Sequence, residues 1–334
     1  MKICLGFILA VLVSYSVHGQ DDFENLLQAG EEDANKLVGG YISPVLNAIG
    51  FGLNQGWYNT AKPHKSAGFD LTLTVSAVYV PNADLFYDTK SLGLKEVELV
   101  TPTDGKAPTF YGPAITPVYR YKSAPSVTFN GPPGVDPPKL GSKHVFPVPI
   151  ANLGIGIIKG TEIKLRFLPK FDLGDNNYIR LFGIGVLHDV KQYIPGVKEL
   201  PFDLSLFAAY TKFDAQANLE GTFPDNGTEQ LGKYDIKAWT VQALISKKIS
   251  VLTLYGGLGY SNFSSNLKFS GSYELYNTSF GSATLIDPVN VNLSSGGARA
   301  TVGFRLKFAV FTLHTDYTIQ KQNILSGGIG ISIR

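Results

Sequence analysis

One stretch of sequence decides the fold: Phe69-Asp-Leu-Thr-Leu-Thr-Val-Ser-Ala-Val-Tyr79. Every second residue from Phe69 onward is apolar, whereas Asp70, Thr72, Thr74 and Ser76 between them are polar. A period of two places these two kinds of residue on opposite faces of a β-strand. A tilted strand of about 9–11 residues is long enough to cross a bilayer. The stretch therefore predicts one transmembrane β-strand.

Segments with the same alternation follow from residue 151 to the end of the chain. Nine are clear, and two weaker ones lie between the sixth and the seventh. With the first strand they predict an all-β, antiparallel transmembrane β-barrel of about 12 strands, within a range of roughly 10 to 14. The clear segments are Ala151–Ile158, Thr161–Pro169, Tyr178–Asp189, Phe202–Phe213, Ile236–Ile249, Val251–Asn262, Ala298–Phe308, Val310–Ile319 and Ile324–Arg334; the weaker ones are Leu267–Tyr276 and Ala283–Leu293.

The connections between these segments alternate between short and long. Residues 159–160, Ser250 and Ala309 make short connections, with 190–201 the longest of this set, whereas 214–235 and 263–297 make long ones. In the long set only 170–177 and 320–323 are short. Outer-membrane barrels join their strands by short periplasmic turns and longer outer loops. A soluble β-sandwich does not require this alternation. The pattern therefore favours a barrel and predicts that both chain ends lie in the periplasm.

The barrel is predicted to span 68–334, with two segments before it. Residues 1–19 are typical of a cleaved signal peptide, because Lys2 precedes an apolar stretch and Gly19 supplies a small residue at the cleavage site. Residues 20–67 carry apolar residues at helical spacing and predict a helical plug or cap. Gly39, Gly40 and Pro44 are expected to break this helix into short pieces.

Within the barrel region, 81–149 differs from the rest. Nine prolines fall between Thr101 and Leu140, and proline is excluded from the interior of a sheet. This segment is predicted to be one large outer loop with a short hairpin around Lys95–Thr101. Such a loop offers a surface for a binding partner.

Charged residues on the barrel strands alternate with apolar ones, which predicts a polar lumen and a lipid-facing outer wall. Two roles stay open for the inward charges: ladders that brace the wall, or the lining of a solute path. Inward glycines on late strands leave two interpretations open: the N-terminal segment packs against them, or they permit curvature and bulges in the wall. The lumen-lining candidates are Glu162, Lys164, Arg166, Arg299, Arg305, Lys307, His314 and Asp316.

The composition argues against several classes of function. The formal net charge is only +2, which argues against a nucleic-acid partner. The one cysteine, Cys4, lies in the predicted signal peptide, so the exported chain has no disulfide. The histidines show no metal-ligand spacing, and no cofactor motif is present. His314 with Asp316, and His188 beside Asp189, leave a lipid-modifying enzyme open as an alternative.

Three runs resemble an uncharacterised family of outer-membrane proteins from Bacteroidota. They are 56–70 (GWYNTAKPHKSAGFD), 159–169 (KGTEIKLRFLP) and 183–189 (GIGVLHD). The resemblance implies the location and the fold, but no activity. More loosely, a helical segment before a barrel is similar to long-chain fatty-acid transporters, in which such a segment plugs the lumen. Unlike many barrels, this chain does not end on an aromatic residue.

These observations support three hypotheses for the function of an exported outer-membrane barrel whose main contact is lipid. The leading one is passage or binding of a small or hydrophobic solute in a plugged lumen. The second is a structural barrel that presents the loop 81–149 to a partner. The third is the lipid-modifying enzyme. The first and second predict no catalytic residues and no cofactor.

Overall fold

A computed structural model describes residues 25–137, 139–196, 198–220, 227–277 and 281–333. The predicted signal peptide lies outside these ranges. A 3-10 turn, Asn25–Ala29, precedes one helix, α1 (Glu31–Leu53). The strands are, in chain order, β1 (Phe69–Tyr79), β2 (Phe86–Asp88), β3 (Val97–Thr101), β4 (Lys106–Pro108), β5 (Val118–Tyr121), β6 (Thr128–Asn130), β7 (Lys139–Leu140), β8 (Lys143–Gly156), β9 (Thr161–Gly174), β10 (Asn177–Asp189), β11 (Asp203–Asn218), β12 (Leu231–Ile249), β13 (Leu252–Ser270), β14 (Ser272–Asn277), β15 (Gly281–Ile286), β16 (Val289–Phe308), β17 (Phe311–Ile319) and β18 (Ile324–Ile333).

Ten of these strands form a closed antiparallel barrel. Their order around the wall is β1-β18-β17-β16-β13-β12-β11-β10-β9-β8, and β8 pairs with β1 to close it. The first predicted strand is confirmed in full, because β1 spans Phe69–Tyr79. β1 alternates between an outer residue and a buried inner one from Phe69 to Val78, and β12 does so from Asp235 to Ser246.

The prediction of about 12 strands is wrong, because the barrel has ten. The two weaker segments are the upper parts of β13 and β16, which are 19 and 20 residues long, together with β14 and β15. These two strands pair only with each other. The long strands rise beyond the wall and continue as a hairpin, so the alternation persists without any return through the barrel.

The two ends of the barrel, named here the lower and upper rims, differ in their connections. The lower rim holds the start of β1, the end of β18 and the four connections 157–160, 190–202, 250–251 and 309–310. Three of these are tight turns, in which Lys159, Ser250 and Ala309 adopt a positive φ of 53–55°. Positive φ lets the turn follow the right-handed twist of the strands. The upper rim carries the long connections, as the sequence predicts, together with two short ones at 175–176 and 320–323.

Helix α1 lies inside the barrel and starts at the upper rim. Its first residues pack with Phe269 and Val289, at the upper ends of β13 and β16. Residues 54–67 then continue down the lumen, and the amide of Ala67 donates to the carbonyl of Gly156 at the lower rim. The chain ends themselves, for which one common side is predicted, lie outside the described residues. Asn25 starts at the upper rim, whereas β18 ends at the lower one.

α1 is one continuous helix of 23 residues, and not the short pieces that its glycines and Pro44 predict. Its glycines serve close packing instead: a Cβ on Gly40, Gly50 or Gly52 would overlap Tyr87, Phe263 or Val148. Packing inside the barrel therefore outweighs the low helix propensity of glycine. No helix among the described residues is long and apolar enough to span a membrane.

The proline-rich segment forms an ordered cap over the upper rim. Strands β2 and β4 form one small sheet, and β3, β5 and β6 form another. The region predicted to be a hairpin holds β3, which pairs with the distant β5. The segment ends earlier than predicted, because β8 begins at Lys143. Whether the cap binds a partner stays a prediction.

The cap is attached to α1 through the buried Asp33. This carboxylate accepts hydrogen bonds from the backbone amides of Lys95, Glu96 and Val97 at 2.8–3.2 Å. On the surface beside it, hydrogen bonds from Lys95 and Lys36 hold the pKa of the Glu32 carboxyl below its ordinary value. Within the cap, burial raises the pKa of the Tyr119 hydroxyl to about 12.

Candidate functional site: the plugged lumen

The structure places all eight predicted lumen residues on the inner face of the wall. Seven are at most 7 % exposed, and Lys307 is half-buried. They meet α1 and residues 54–67, because this segment fills the lumen. Polar groups around the end of α1, including Arg166, Arg299 and Gln55, form a collar across the lumen. The space between the collar and the upper rim is named here the upper chamber, and the space between the collar and the lower rim is named the lower chamber. As the lining of a solute path the eight residues stay a prediction.

The collar is built around the C-terminal end of α1. Arg166 Nη1 donates to the carbonyl of Leu53 at 2.6 Å, and Arg299 Nη1 donates to the carbonyl of Asn54 at 3.0 Å. α1 has no basic residue in its own last turn. The last carbonyls of a helix lack partners within the helix and carry partial negative charge. Two arginines of the wall supply both the hydrogen bonds and the positive charge.

Arg166 joins three parts of the molecule. Its Nε donates to Asn152 Oδ1 of β8 at 2.6 Å, and its Nη2 donates to the carbonyl of Gln55. The guanidinium carbon lies 3.5 Å from the centre of the Trp57 ring, which makes a cation–π contact. The side chain is fully buried. It therefore pins α1 to the wall and connects β9 to β8.

Gln55 completes the collar, and sequence reasoning missed it. Its amide nitrogen donates to Asp316 Oδ1 at 3.1 Å and to Thr318 Oγ1 at 2.6 Å, while Arg299 donates to its Oε1. Tyr255 donates to the second oxygen of Asp316 at 2.9 Å. Apart from Arg299 Nε, none of the buried side-chain nitrogen and oxygen atoms of these groups lacks a hydrogen-bond partner. The cavity beside them has a volume of only about 10 Å³.

His314 and Asp316, which the alternation places on one face of β17, contact different partners. His314 Nε2 lies 3.2 Å from Thr74 Oγ1, and its Nδ1 has no hydrogen-bond partner in the described chain. His188 contacts Thr161 and Tyr193 instead of a serine. Neither histidine supports the alternative of a lipid-modifying enzyme.

Below the collar, polar groups converge on His64, another residue that sequence reasoning left out. His64 Nδ1 lies 2.9 Å from Glu162 Oε2, and its Nε2 lies 2.9 Å from Ser332 Oγ. This is the order of a Ser-His-acid relay. However, Ser332 Oγ also accepts a hydrogen bond from Lys307 Nζ at 3.1 Å, so two partners hold this hydroxyl and it is not free to act as a nucleophile. The arrangement fixes the entry of the chain into β1.

Asp70 joins the same group, and the ligand atoms of His64, Asp70 and Glu162 lie within 4.8 Å of one another. Three such ligands could hold a metal ion. The ammonium of Lys164 already occupies this position, 2.5 Å from Glu162 and 3.5 Å from Asp70. The group is therefore a buried salt-bridge network.

Above the collar, the wall has a seam between β8 and β9. These strands pair only over Leu153–Gly156 and Glu162–Leu165, whereas β8 pairs with β1 along eleven residues. The carbonyl of His144 accepts from Val80 beside β1, so even-numbered residues of β8 bond toward β1. Pro147 and Pro149 point their ring nitrogens into the seam. Proline lacks the N–H that pairing there would need.

An apolar cavity lies behind this seam, in the upper chamber. Its volume is about 300 Å³, and it separates α1 from the wall formed by β8 and β10–β13. Its lining is almost entirely apolar and includes Leu53, Val148, Leu181, Phe213 and Leu267. Small-molecule sites are typically apolar concavities of about 300–1,000 Å³. This cavity has the size and the chemistry of such a site.

The sequence contains one signal for this cavity. In β10, Ile179 and Leu181 face inward while Phe182 and Ile184 face outward, so apolar residues occupy both faces. A strand between lipid and a polar lumen should alternate apolar with polar. An apolar inner face therefore indicates that something apolar sits inside at that height.

The profile of one protein family matches residues 1–333, and its description is a family of unknown function, DUF6588. The chain belongs to this family. DUF6588 carries no assigned activity, which confirms the expectation of an uncharacterised family. An origin in Bacteroidota and a likeness to fatty-acid transporters stay predictions. No curated protein sequence matches this DUF6588 chain.

Three solved structures of outer-membrane barrels are similar to the DUF6588 fold, at low identity. The attachment invasion locus protein Ail of Yersinia pestis is 10 % identical, covers 80 % of this chain and 97 % of its own, and gives a TM-score of 0.27. The outer membrane protease OmpT of Escherichia coli is 8 % identical, with coverages of 79 % and 94 % and a TM-score of 0.30. The toluene transporter TodX of Pseudomonas putida is 11 % identical, with coverages of 86 % and 75 % and a TM-score of 0.22.

Proposed function

We propose that this protein is an outer-membrane β-barrel that binds a small apolar molecule in its upper chamber and exchanges it through the seam between β8 and β9. The apolar cavity behind the seam is the observation that carries this function. The collar closes the lumen below that cavity. Passage of water-soluble molecules along the barrel axis is therefore not part of the proposal.

The location in a membrane rests on the outer face of the barrel. Leu71, Leu73 and Val75 on β1 are 47–52 % exposed, and Leu258 and Val302 on other strands are 65–69 % exposed. A soluble monomer rarely exposes a continuous apolar surface of this kind. A barrel in lipid does so along its whole circumference.

The height of this apolar surface fits a bilayer. On β12, the outward residues between the charged Lys237 and Lys247 are Trp239, Val241, Ala243 and Ile245. Ten residues at about 3.4 Å per residue, tilted by about 40°, span about 26 Å. The apolar band of outer-membrane barrels is about 25 Å tall.

Aromatic side chains mark the upper edge of the band. Trp239 and Tyr260 pack on the outer face with ring centres 5.8 Å apart, and Tyr79 and Tyr317 do so at 6.4 Å. Tyrosine and tryptophan are enriched where lipid meets water. Above them, Arg180 and Lys212 form salt bridges with Asp214 on the outer face. The cap then lies outside the cell, because short turns face the periplasm.

The seam lies within the upper half of this band. Pro149 and Pro147 stand opposite Val75 and Ala77 of β1, whose outer face is the exposed apolar surface. An apolar molecule dissolved in the outer leaflet could therefore reach the cavity without crossing water. This position links the cavity to the lipid and supports exchange through the wall.

Fluorescence of N-phenyl-1-naphthylamine tests the binding, because this dye brightens in apolar surroundings. We expect saturable binding to the purified barrel in detergent, and its loss in Ala215→Trp, which fills the cavity from β11. Ala208→Trp is the matched control, because Ala208 is exposed on the outer face of the same strand. Equal binding by both variants would exclude the cavity as the site.

Cysteine labelling tests the orientation, because the only natural cysteine lies at position 4. A membrane-impermeant maleimide should label Lys90→Cys in the exposed cap on intact cells. It should label Glu199→Cys, in the lower rim, only after the outer membrane is opened. The reverse pattern would contradict the orientation, and recovery of the protein in a soluble fraction would contradict the membrane location.

A further inference from the structure

The lower chamber contains a second cavity of about 210 Å³, on the opposite side of the collar from the apolar one. Five cationic side chains line it: Lys62, Lys65, Lys248, Arg305 and Lys307. Asp203 is the only acidic residue in its lining. The lining therefore has an excess of four positive charges.

Arg305 is the deepest of these cations, and its charge is unpaired. The residue is only 7 % exposed, and its Nε has no hydrogen-bond partner. Its guanidinium forms no salt bridge with any residue that the structure describes. A buried polar group without a partner costs about 1–3 kcal/mol, and more when it is charged. Such a group calls for a partner, which the cavity has room to hold.

The nearby acids have other partners. Asp70 and Glu162 flank Lys164 in the network described above. Asp203 accepts a hydrogen bond from Ser246 Oγ at 3.4 Å and lies 3.9 Å from Lys62. Even counting Asp70, Glu162 and Lys164 with the lining, positive charges exceed negative ones by three.

The lining also contains a neutral hydroxyl, and its positive charges continue from the buried end of the cavity to its exposed mouth. Thr253 is almost fully buried and lines the cavity as a neutral donor. Ser332 contacts His64 and accepts from Lys307 Nζ at 3.1 Å, which holds that ammonium at the cavity. Lys65 and Lys248 are exposed at its mouth. A cleft lined by one sign of charge concentrates ions of the opposite sign. The guanidinium of Arg305 at its end, almost fully buried, fits a tetrahedral oxyanion through its fork of donors.

From these observations we propose that the lower chamber is an anion site that binds a phosphate group, with Arg305 as its main ligand and Lys307 and Lys248 as supporting ones. Phosphate fits better than a carboxylate because its second negative charge matches the excess of cations. The collar lies between this site and the apolar cavity. The two sites therefore take different molecules, and one can be lost while the other is kept.

Isothermal titration calorimetry of the whole barrel in a nonionic detergent, with inorganic phosphate as the ligand, tests this site. We expect saturable binding that Arg305→Gln weakens about tenfold or more, the effect of one charge-assisted hydrogen bond. Lys237→Gln, an exposed lysine on the outer face, should bind like the wild type. No binding by the wild type, or equal binding by the wild type and Arg305→Gln, would overturn the proposal.

Two further measurements keep the result clear. Retained binding of N-phenyl-1-naphthylamine by Arg305→Gln shows that the barrel is folded. If that variant does not fold, Lys248→Gln at the mouth replaces it and should weaken phosphate binding about threefold or more.

Dihexanoyl phosphatidic acid distinguishes the source of the phosphate. Tighter binding of this lipid than of inorganic phosphate indicates a lipid headgroup, and equal binding indicates a free phosphate. A lipid that binds equally well to Arg305→Gln contradicts the site.

Discussion

The two chambers of this barrel are built from the same ten strands, yet their linings are opposite. Above the collar, Leu181 and Phe213 face an apolar cavity beside an open seam. Below it, Arg305 and Lys307 face a cationic cavity beside a closed wall. The alternation along each strand fixes only which residues point inward. What those residues enclose depends on the plug, which is an apolar helix above the collar and a polar extended segment below it.

The largest effect on stability is expected from a substitution in the collar that separates the two chambers. Arg166→Ala removes three hydrogen bonds, leaves helix carbonyls buried without partners and removes the cation–π contact with Trp57. We expect the free energy of unfolding to fall by about 3 kcal/mol or more. Urea unfolding followed by tryptophan fluorescence measures this loss. Arg180→Ala, at an outer salt bridge that is half exposed, should change it by less than about 1 kcal/mol.

The same variant should also weaken the separation of the chambers. In planar bilayers we expect Arg166→Ala to show ion-conducting openings more often than the wild type. The reason is that the end of α1 loses its hydrogen bonds to the Arg166 side chain of β9. Wild-type conductance as high as that of the variant would show that the collar does not close the lumen.

An intermediate effect is expected where α1 meets the upper wall. Gly50→Val places a branched side chain against the ring of Phe263, and overpacking of this kind costs about 1–3 kcal/mol. The second substitution Phe263→Ala should recover part of that loss by making space. Gly297→Ala is the control, because a Cβ there meets nothing within 4 Å. Equal loss in both glycine variants would contradict close packing of α1.

The smallest effect concerns the cap above the upper chamber. The pKa of Glu32 is lowered in the folded protein, chiefly by its hydrogen bond from Lys95. The stability that ionised Glu32 adds to the folded protein is therefore present at pH values above its ordinary pKa of 4.5. This stability is lost as the pH falls through the lowered pKa of the folded state. The protection of the amides around Lys95 against hydrogen exchange, relative to their intrinsic rate at each pH, should fall slightly more on acidification in the wild type than in Glu32→Gln. Identical pH dependence would remove Glu32 from the attachment of the cap.

Much of the wall could be predicted from the sequence, because a strand with an apolar outer face and a polar inner face alternates between the two kinds of residue. β1 is predicted to the residue. The strand number was overestimated because β13 and β16 keep the same alternation where they extend above the wall and lead into the hairpin of β14 and β15. β8 was predicted to start late because its prolines argue against pairing, whereas Pro147 and Pro149 lie on the one edge that has no partner.

The interior was harder to predict, because it depends on contacts between residues far apart in sequence. The inward direction of Arg166 and Arg299 follows from their strands. Their bonds to the end of α1 do not, since 111 to 245 residues separate the partners. Gln55 and His64 carry no pattern at all, and they matter because the plug brings them to the wall. The apolar inner face of β10 is the one local signal of the upper cavity.

Anomalous diffraction from crystals soaked in 1-bromonaphthalene tests the central claim most directly, namely that the upper chamber holds an apolar molecule above a closed collar. A bromine peak between α1 and the wall, near Leu181 and Phe213, is the result we predict, with Arg166 still bonded to the end of α1. Bromine peaks only on the outer apolar surface, or in the lumen below the collar, would contradict the account.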